Sequence, residues 1–151
     1  AARVVRKDYD YAFEEEKYRG APDIRLHEID VARPLEIAGE RIVPVSGHHS
    51  ERFEVTGYRI GRMAYLTDFK TIADAEVGKL IGVELLVVNA LRFRPHPSHF
   101  NVEEALALIA RVAPRRALIT HVSHEIGRHA ATTALLPRGV ELAYDGLEII
   151  I

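Results

Sequence analysis

The sequence predicts a mixed α/β domain, α+β in the arrangement of its parts. Three observations carry this. Residues 35–67 alternate short apolar runs with glycine-containing turns, the pattern of antiparallel hairpins. Residues 63–120 then place apolar runs on either side of helical stripes, as a βαβ section does. His or Asp also follows the ends of four expected strands, the place where α/β proteins hold ligands and metals.

Residues 1–23 combine Arg3, Arg6 and Lys7, an aromatic cluster (Tyr9, Tyr11, Phe13, Tyr18), an acidic run at 14–16 and Gly20-Ala21-Pro22. They read as a loop-rich entry with a helical turn, the charge run being a solvated face. Residues 24–31 alternate Ile24, Leu26, Ile29 and Val31 with polar residues, slipping once at Glu28. That is a strand pattern, with His27 as an exposed strand residue. Residues 35–37 and 42–45 read as strands joined by Ala38-Gly39-Glu40-Arg41. Pro44 makes the second an edge strand, or one about to end, and Ser46-Gly47-His48-His49-Ser50 a loop beyond it. Residues 53–60 and 62–67 form another hairpin around Gly61, and its apolar second arm stops at Asp68. An Asp there is ordinarily an N-cap or turn residue.

Residues 71–81 read as a short helix closed by Gly82, and 84–89 as a strand buried on both faces, because Leu85-Leu86-Val87-Val88 shows no alternation. A loop at 90–100 holds Arg92, Arg94, His96, Pro97 and His99. Residues 101–112 are the clearest helix. Asn101 is a good N-cap, Glu103 and Glu104 suit the first turn, and Val102, Ala105, Leu106, Ile109 and Val112 make an apolar stripe ended by Pro114. A strand follows at 117–120, then a weaker helix at 125–136 and a terminal hairpin of 140–144 with 147–151 across Asp145-Gly146.

Composition narrows the function classes. At 151 residues the chain is one domain or part of a larger one, and 48% apolar residues suffice for a core. Twenty basic against 22 acidic residues give a net charge of −2, so no basic stripe calls for nucleic acid. A separate nucleic-acid-binding arm stays compatible with that balance. Cysteine is absent, which excludes disulfides, thiolate nucleophiles and Cys-based zinc sites. No apolar run approaches the ~18–20 residues of a membrane span. No signal-peptide pattern is visible, so a cytoplasmic setting is the expectation.

Histidine is the unusual residue. Of eight, six fall in the pairs His48/His49, His96/His99 and His121/His124. The plain reading of such pairs is a set of loop histidines on a solvated rim. The alternative is a metal site of imidazole nitrogen and carboxylate oxygen, in which a carboxylate can bridge two ions. Two ions would activate a water and clamp both oxygens of a displaced phosphate, while an unligated His protonates the leaving alkoxide.

The succession His49, Gly57-Tyr58-Arg59, Tyr65-Leu66-Thr67-Asp68, His96-Pro97-Ser98-His99-Phe100-Asn101-Val102-Glu103-Glu104-Ala105, Leu118-Ile119-Thr120-His121-Val122-Ser123-His124 and Ala143-Tyr144-Asp145-Gly146 resembles the C-terminal half of metallo-β-lactamase-fold hydrolases. It is most similar to their phosphodiesterase branch, which contains ribonuclease Z and phosphoribosyl cyclic phosphate phosphodiesterase. The resemblance covers about residues 35–151. It implies half of a four-layer αββα sandwich, a mixed sheet with flanking helices. It further implies His49 as a ligand of a first metal, Asp68 as the bridging carboxylate, His121 as a ligand of a second metal, and His99 as a non-ligand proton donor. The metals implied are two divalent ions, zinc first and manganese as the alternative. The substrate implied is a small-molecule phosphate ester. His96 and His124 receive no role and stand as rim or supporting positions.

Two departures qualify it. His49 lies one residue farther from Gly57-Tyr58 than the family pattern, so His48 is a rival ligand. The family's His-x-His-x-Asp-His signature occurs nowhere in the sequence. Each metal would then keep one private His and the shared Asp68, too few for tight binding. Residues 1–151 are accordingly expected to be a single C-terminal portion, inactive alone and weak or lacking in metal, with the signature lying upstream. An apolar sheet face would be left open, so the chain is expected to self-associate through it. Arg59, Arg92 and Arg94 are the candidate phosphate contacts. Two other readings compete: an inactive α/β interaction module, and a metal-dependent thioester or lactone hydrolase on the same fold.

Overall fold

The computed structural model describes residues 2–151, and the chain divides into two compact units, the first ending at Asp30 and the second running Val31–Ile151. The first unit holds α1 (Ala2–Asp8) and a 3-10 turn at Asp10–Ala12. Within it the Arg6 guanidinium stands 5.0 Å from the centre of the Phe13 ring, and Lys17 Nζ lies 2.7 Å from Asp23 Oδ1. The strand expected at 24–31 is absent, and residues 24–30 form neither helix nor strand. Alternation alone does not hold a strand, which needs a ladder to join.

The second unit is built on a seven-stranded mixed sheet whose spatial order follows the chain, β1 to β7. The strands are β1 (Leu35–Ile37), β2 (Glu40–Ser50), β3 (Phe53–Ile60), β4 (Met63–Leu66), β5 (Leu85–Asn89), β6 (Arg116–Thr120) and β7 (Val140–Leu142). β1 to β4 pair antiparallel, and β4 to β7 pair parallel. Hairpins make the first half, because Gly39 (φ 83°) and Gly61 (φ 55°) supply the left-handed turn positions. Helical crossovers make the second half: α2 (Asp74–Gly78), α3 (Val102–Val112) and α4 (His129–Thr133).

β5 is buried at every residue, as its unbroken apolar run requires between two parallel neighbours. One sheet face, with Ala64, Leu66, Leu86, Val88, Ala117 and Ile119, packs against the α3 stripe of Val102, Ala105, Leu108, Ile109 and Val112. Leu106, expected in that stripe, lies at its margin. The α3 start is a full capping box: the Asn101 side chain accepts the Glu104 N–H at 2.8 Å, and Glu104 Oε2 accepts the Asn101 N–H at 2.8 Å.

Four expectations shift. β2 runs on through Ser46-Gly47-His48-His49-Ser50 instead of ending in a loop there. β1 covers only Glu40–Ile42 of its length, so Pro44 sits where no strand needs its missing N–H. On that side Pro44 O accepts from Lys79 Nζ, the Ser46 N–H donates to Glu76 Oε2, and His48 pairs with Thr71. That pairing takes Thr71 out of the helix expected at 71–81, and α2 is five residues long. Gly127 (φ 96°) breaks the expected helix at 125–136 into a 3-10 turn (His124–Ile126) and α4. The terminal hairpin is absent as well. β7 pairs with β6, while Leu147 and Ile149 pack with Met63 and Ala143 against Leu85, Val87 and Leu118 on the sheet face opposite α3. Burying those side chains takes the tail out of the sheet plane. Among the described residues no helix is long and apolar enough to cross a membrane.

Candidate metal centre

The end of β2, the ends of β4 and β6, and the loop between β5 and α3 bring His49, Asp68, His121 and His99 together. His49 arrives by a β-bulge. The β2–β3 register shifts between His48 and Ser50, so His49 is the extra residue that the ladder leaves unpaired. That one added residue accounts for the unusual spacing from Gly57, and it turns His49 rather than His48 to the cluster. His49 Nδ1 lies 3.0 Å from the Asp68 carbonyl, and its ring meets the His99 ring edge-on at 4.5 Å. His48 is exposed, its backbone tied to Lys70 and Thr71.

Asp68 follows β4 with φ 64°, and His121 follows β6 with φ 55°. Both are non-glycine residues in the left-handed region, which the surroundings must hold in place. Asp68 Oδ1 lies 3.3 Å from His99 Nε2 and 3.4 Å from His121 Nε2, while Oδ2 accepts from Thr67 Oγ1 at 3.3 Å. His99 and His121 stack with ring centres 4.8 Å apart and Nε2 atoms 3.1 Å apart. Behind His99, its Nδ1 is 3.2 Å from His96 Nδ1, and Ser98 Oγ lies within 3.3 Å of both. Burial lowers the His99 pKa. The hydrogen bond to Asp68 opposes this, and the charges of His49, His121 and His96 add to the lowering.

Donor atoms of His49, Asp68 and His99 all lie within 4.8 Å of one another, and His121 closes on the same carboxylate oxygen. Neutral imidazole and carboxylate are ligands that zinc and similar ions take. His96 Nδ1 accepts the Ser98 N–H, so a neutral His99 gives its one N–H to it from Nδ1, and the His99 Nε2 lone pair then meets the Asp68 carboxylate with no proton between these two acceptors. A common cation would satisfy them, so the donor set fits a metal, although it is short of two full coordination shells.

The remaining candidates lie elsewhere or do other work. His124 is exposed on its 3-10 turn, and His27 lies in the first unit. Arg59, a candidate phosphate contact, is instead committed to the carbonyls of Gly61, Lys79 and Ile81. Arg92 Nη1 and Arg94 Nη2 both bind the Glu125 carboxylate, at 2.5 and 2.8 Å. Glu125 thus ties the His99 loop to the His121 loop, and the Arg92 guanidinium holds its carboxyl below the usual range. Asn89 was invisible as a site residue in the sequence. Its one signal is a polar residue closing a wholly apolar buried strand.

A strand-end cluster of His and Asp on a mixed sheet defines a metal-binding α/β protein of the metallo-β-lactamase type. Residues 1–122 match the model of the beta-lactamase superfamily domain, and the chain belongs to that family. Among solved structures, it is similar to a diphosphatase from the PhnP family, with 33% identity and a TM-score of 0.87 over 99% of this chain and 55% of that one. The metallo-beta-lactamase fold protein YhfI of Bacillus subtilis shares the fold at 15% identity and TM-score 0.67, over 93% of this chain and 59% of that one. Human tRNase Z, short form, shares it at 17% identity and TM-score 0.57, over 75% and 44%. An octanoyltransferase of Porphyromonas gingivalis is 36% identical over 148 residues, which are 97% of this chain and 30% of that protein. The chain therefore spans under a third of that curated relative and about half of the diphosphatase.

Proposed function

We propose that the chain carries the second part of a metal-dependent phosphodiesterase or diphosphatase centre. The observation that supports this most is the convergence of His99 and His121 on the Asp68 carboxylate, with His49 on the Asp68 carbonyl and its donor atom within 4.8 Å of those of Asp68 and His99. In this reading Asp68, His49 and His121 would hold two divalent ions, with Asp68 shared between them. The remaining ligands come from residues outside 1–151, and the chain is one C-terminal portion of the catalytic domain. Bound ions would supply water activation and charge neutralisation at the phosphoryl group. Asp68 orients His99 through Oδ1, and Thr67 steadies the other oxygen. His99, backed by Ser98 and His96 at Nδ1, presents Nε2 to the cluster and gives its proton to the departing alkoxide. The substrate is a small-molecule phosphate ester, in keeping with the diphosphatase likeness. The chain also self-associates through the sheet face that bears Tyr65, which is 43% exposed.

Metal analysis and kinetics test the reading, in a preparation that holds the complete ligand set. His99→Ala should slow cleavage of an alkyl phosphodiester by roughly 10²- to 10⁴-fold. It should spare bis-p-nitrophenyl phosphate, whose leaving group departs without a proton. Equal losses on both substrates would remove His99 as proton donor. No metal and no turnover would favour a non-catalytic module. An acyl substrate is the second reading, a thioester or lactone, and the octanoyltransferase match favours it. That match covers too little of the longer protein to outweigh the diphosphatase likeness.

A further inference from the structure

The end of β5 carries an arrangement that the proposed chemistry leaves unused. Asn89 is its last residue and is fully buried. Its Oδ1 accepts the Phe69 N–H at 2.8 Å, and its Nδ2 donates to the Phe69 carbonyl at 3.0 Å. The two backbone groups differ in kind, which fixes the orientation of the amide. The β4–β5 ladder ends at the pair Leu66 and Val88, so the Asn89 side chain continues it beyond the last backbone pair.

It does so beside Asp68, whose left-handed φ of 64° needs support. The Phe69 ring, next in sequence to Asp68, is fully buried in the core. A Cβ on Gly47 would stand 2.3 Å from that ring, and one on Gly57 would stand 3.2 Å from it. The Phe69 carbonyl also accepts the Phe100 N–H at 2.8 Å, which ties in the residue after His99.

We infer that Asn89 is a positioning residue of the centre: through Phe69 it holds Asp68 in the conformation that aims its carboxylate at His99 and His121 and its carbonyl at His49. Its service to a metal rests on the function proposed above, but its hold on Asp68 does not.

The test compares Asn89→Asp, which keeps the acceptor and loses the donor, with Asn89→Leu, which loses both. Val140→Ala, on the far edge strand β7, is the control for general destabilisation. Two readouts separate the claims. Backbone coupling of Asp68 and amide exchange of Phe69, by NMR, report the local conformation without metal. Titration with Co²⁺, followed by its visible absorption, reports the ligand geometry. Both Asn89 variants should move Asp68 out of the left-handed region and speed Phe69 exchange, and weaken Co²⁺ binding by about tenfold or more with an altered band. The control should lower the thermal midpoint and leave these signals alone. Unchanged Asp68 coupling in the Asn89 variants, or equal changes in the control, would overturn the inference. If Asn89→Leu does not fold, Asn89→Asp decides. The Co²⁺ titration is made in a preparation that holds the complete ligand set; a wild-type protein that takes up no Co²⁺ there counts against the metal reading, and the NMR result on residues 1–151 still judges Asn89.

Discussion

The surroundings of His99 lower its pKa, burial most of all. Burial removes water from the ring, and three further imidazoles would repel a second charge. The sign of the consequence follows from linkage. A lowered folded-state pKa means that the folded chain takes up the proton less readily than the unfolded chain. Stability is unaffected above the ordinary imidazole pKa of ~6.5 and falls as the pH drops through it. The metal-free chain should therefore show a thermal midpoint that declines from about pH 8 to about pH 5, and His99→Gln should flatten that decline. Identical slopes for both proteins would remove His99 as the cause. Individual site residues were legible to different degrees. Asp68 and His121 stand out because each directly follows an apolar run, and His49 because it lies just past one, whereas His99 sits inside a polar loop and is marked out by its pairing with His96 and the family resemblance. Asn89 does not stand out, since its partner Phe69 lies 20 residues away and nothing in residue type announces a side chain acting as a strand.

At the scale of elements, α3 was legible because its signals are local and agree. The capping box, acidic first turn and apolar stripe all lie within a dozen residues of one another. Asn101→Ala should cost about 1 kcal/mol, read as a lower denaturant midpoint at unchanged slope. A loss beyond what the cap explains would implicate Lys70, whose Nζ lies 2.6 Å from Glu104 Oε1. The terminal hairpin and the strand at 24–31 misled for one shared reason. Alternation and a turn dipeptide describe a segment's own preference, while a strand depends on which neighbour offers a free edge. The tail covers an apolar sheet face instead. The extension of β2 is the reverse case, where β3 and the Lys70–Thr71 backbone supply partners for residues that read as loop. Glu125 shows why the loops resisted reading too. Its hold on Arg92 and Arg94 spans more than 30 residues of sequence.

For the molecule as a whole, the mixed sheet and its strand-end cluster followed from the order of hairpins and crossovers. The tail over Leu85, Val87 and Leu118 did not, and it bears on association. Removing residues 147–151 would uncover those three side chains together with Met63 and add to the apolar area around Tyr65. The shortened chain should shift toward larger assemblies in light scattering, and Tyr65→Glu should oppose that shift. A clean monomer near 16.9 kDa for both the intact and the shortened chain would count against self-association through this face. The strand order has a different consequence, for chain entropy. Every neighbour in the sheet is also a neighbour along the chain. The site residues are accordingly separated by loops of similar size: 19 residues from His49 to Asp68, 31 from Asp68 to His99, and 22 from His99 to His121. Closure entropy grows only with the logarithm of loop length, so the three closures carry nearly equal costs. The polar cluster is thus gathered by three comparable short-range steps, and none of them waits on a contact between distant ends of the chain.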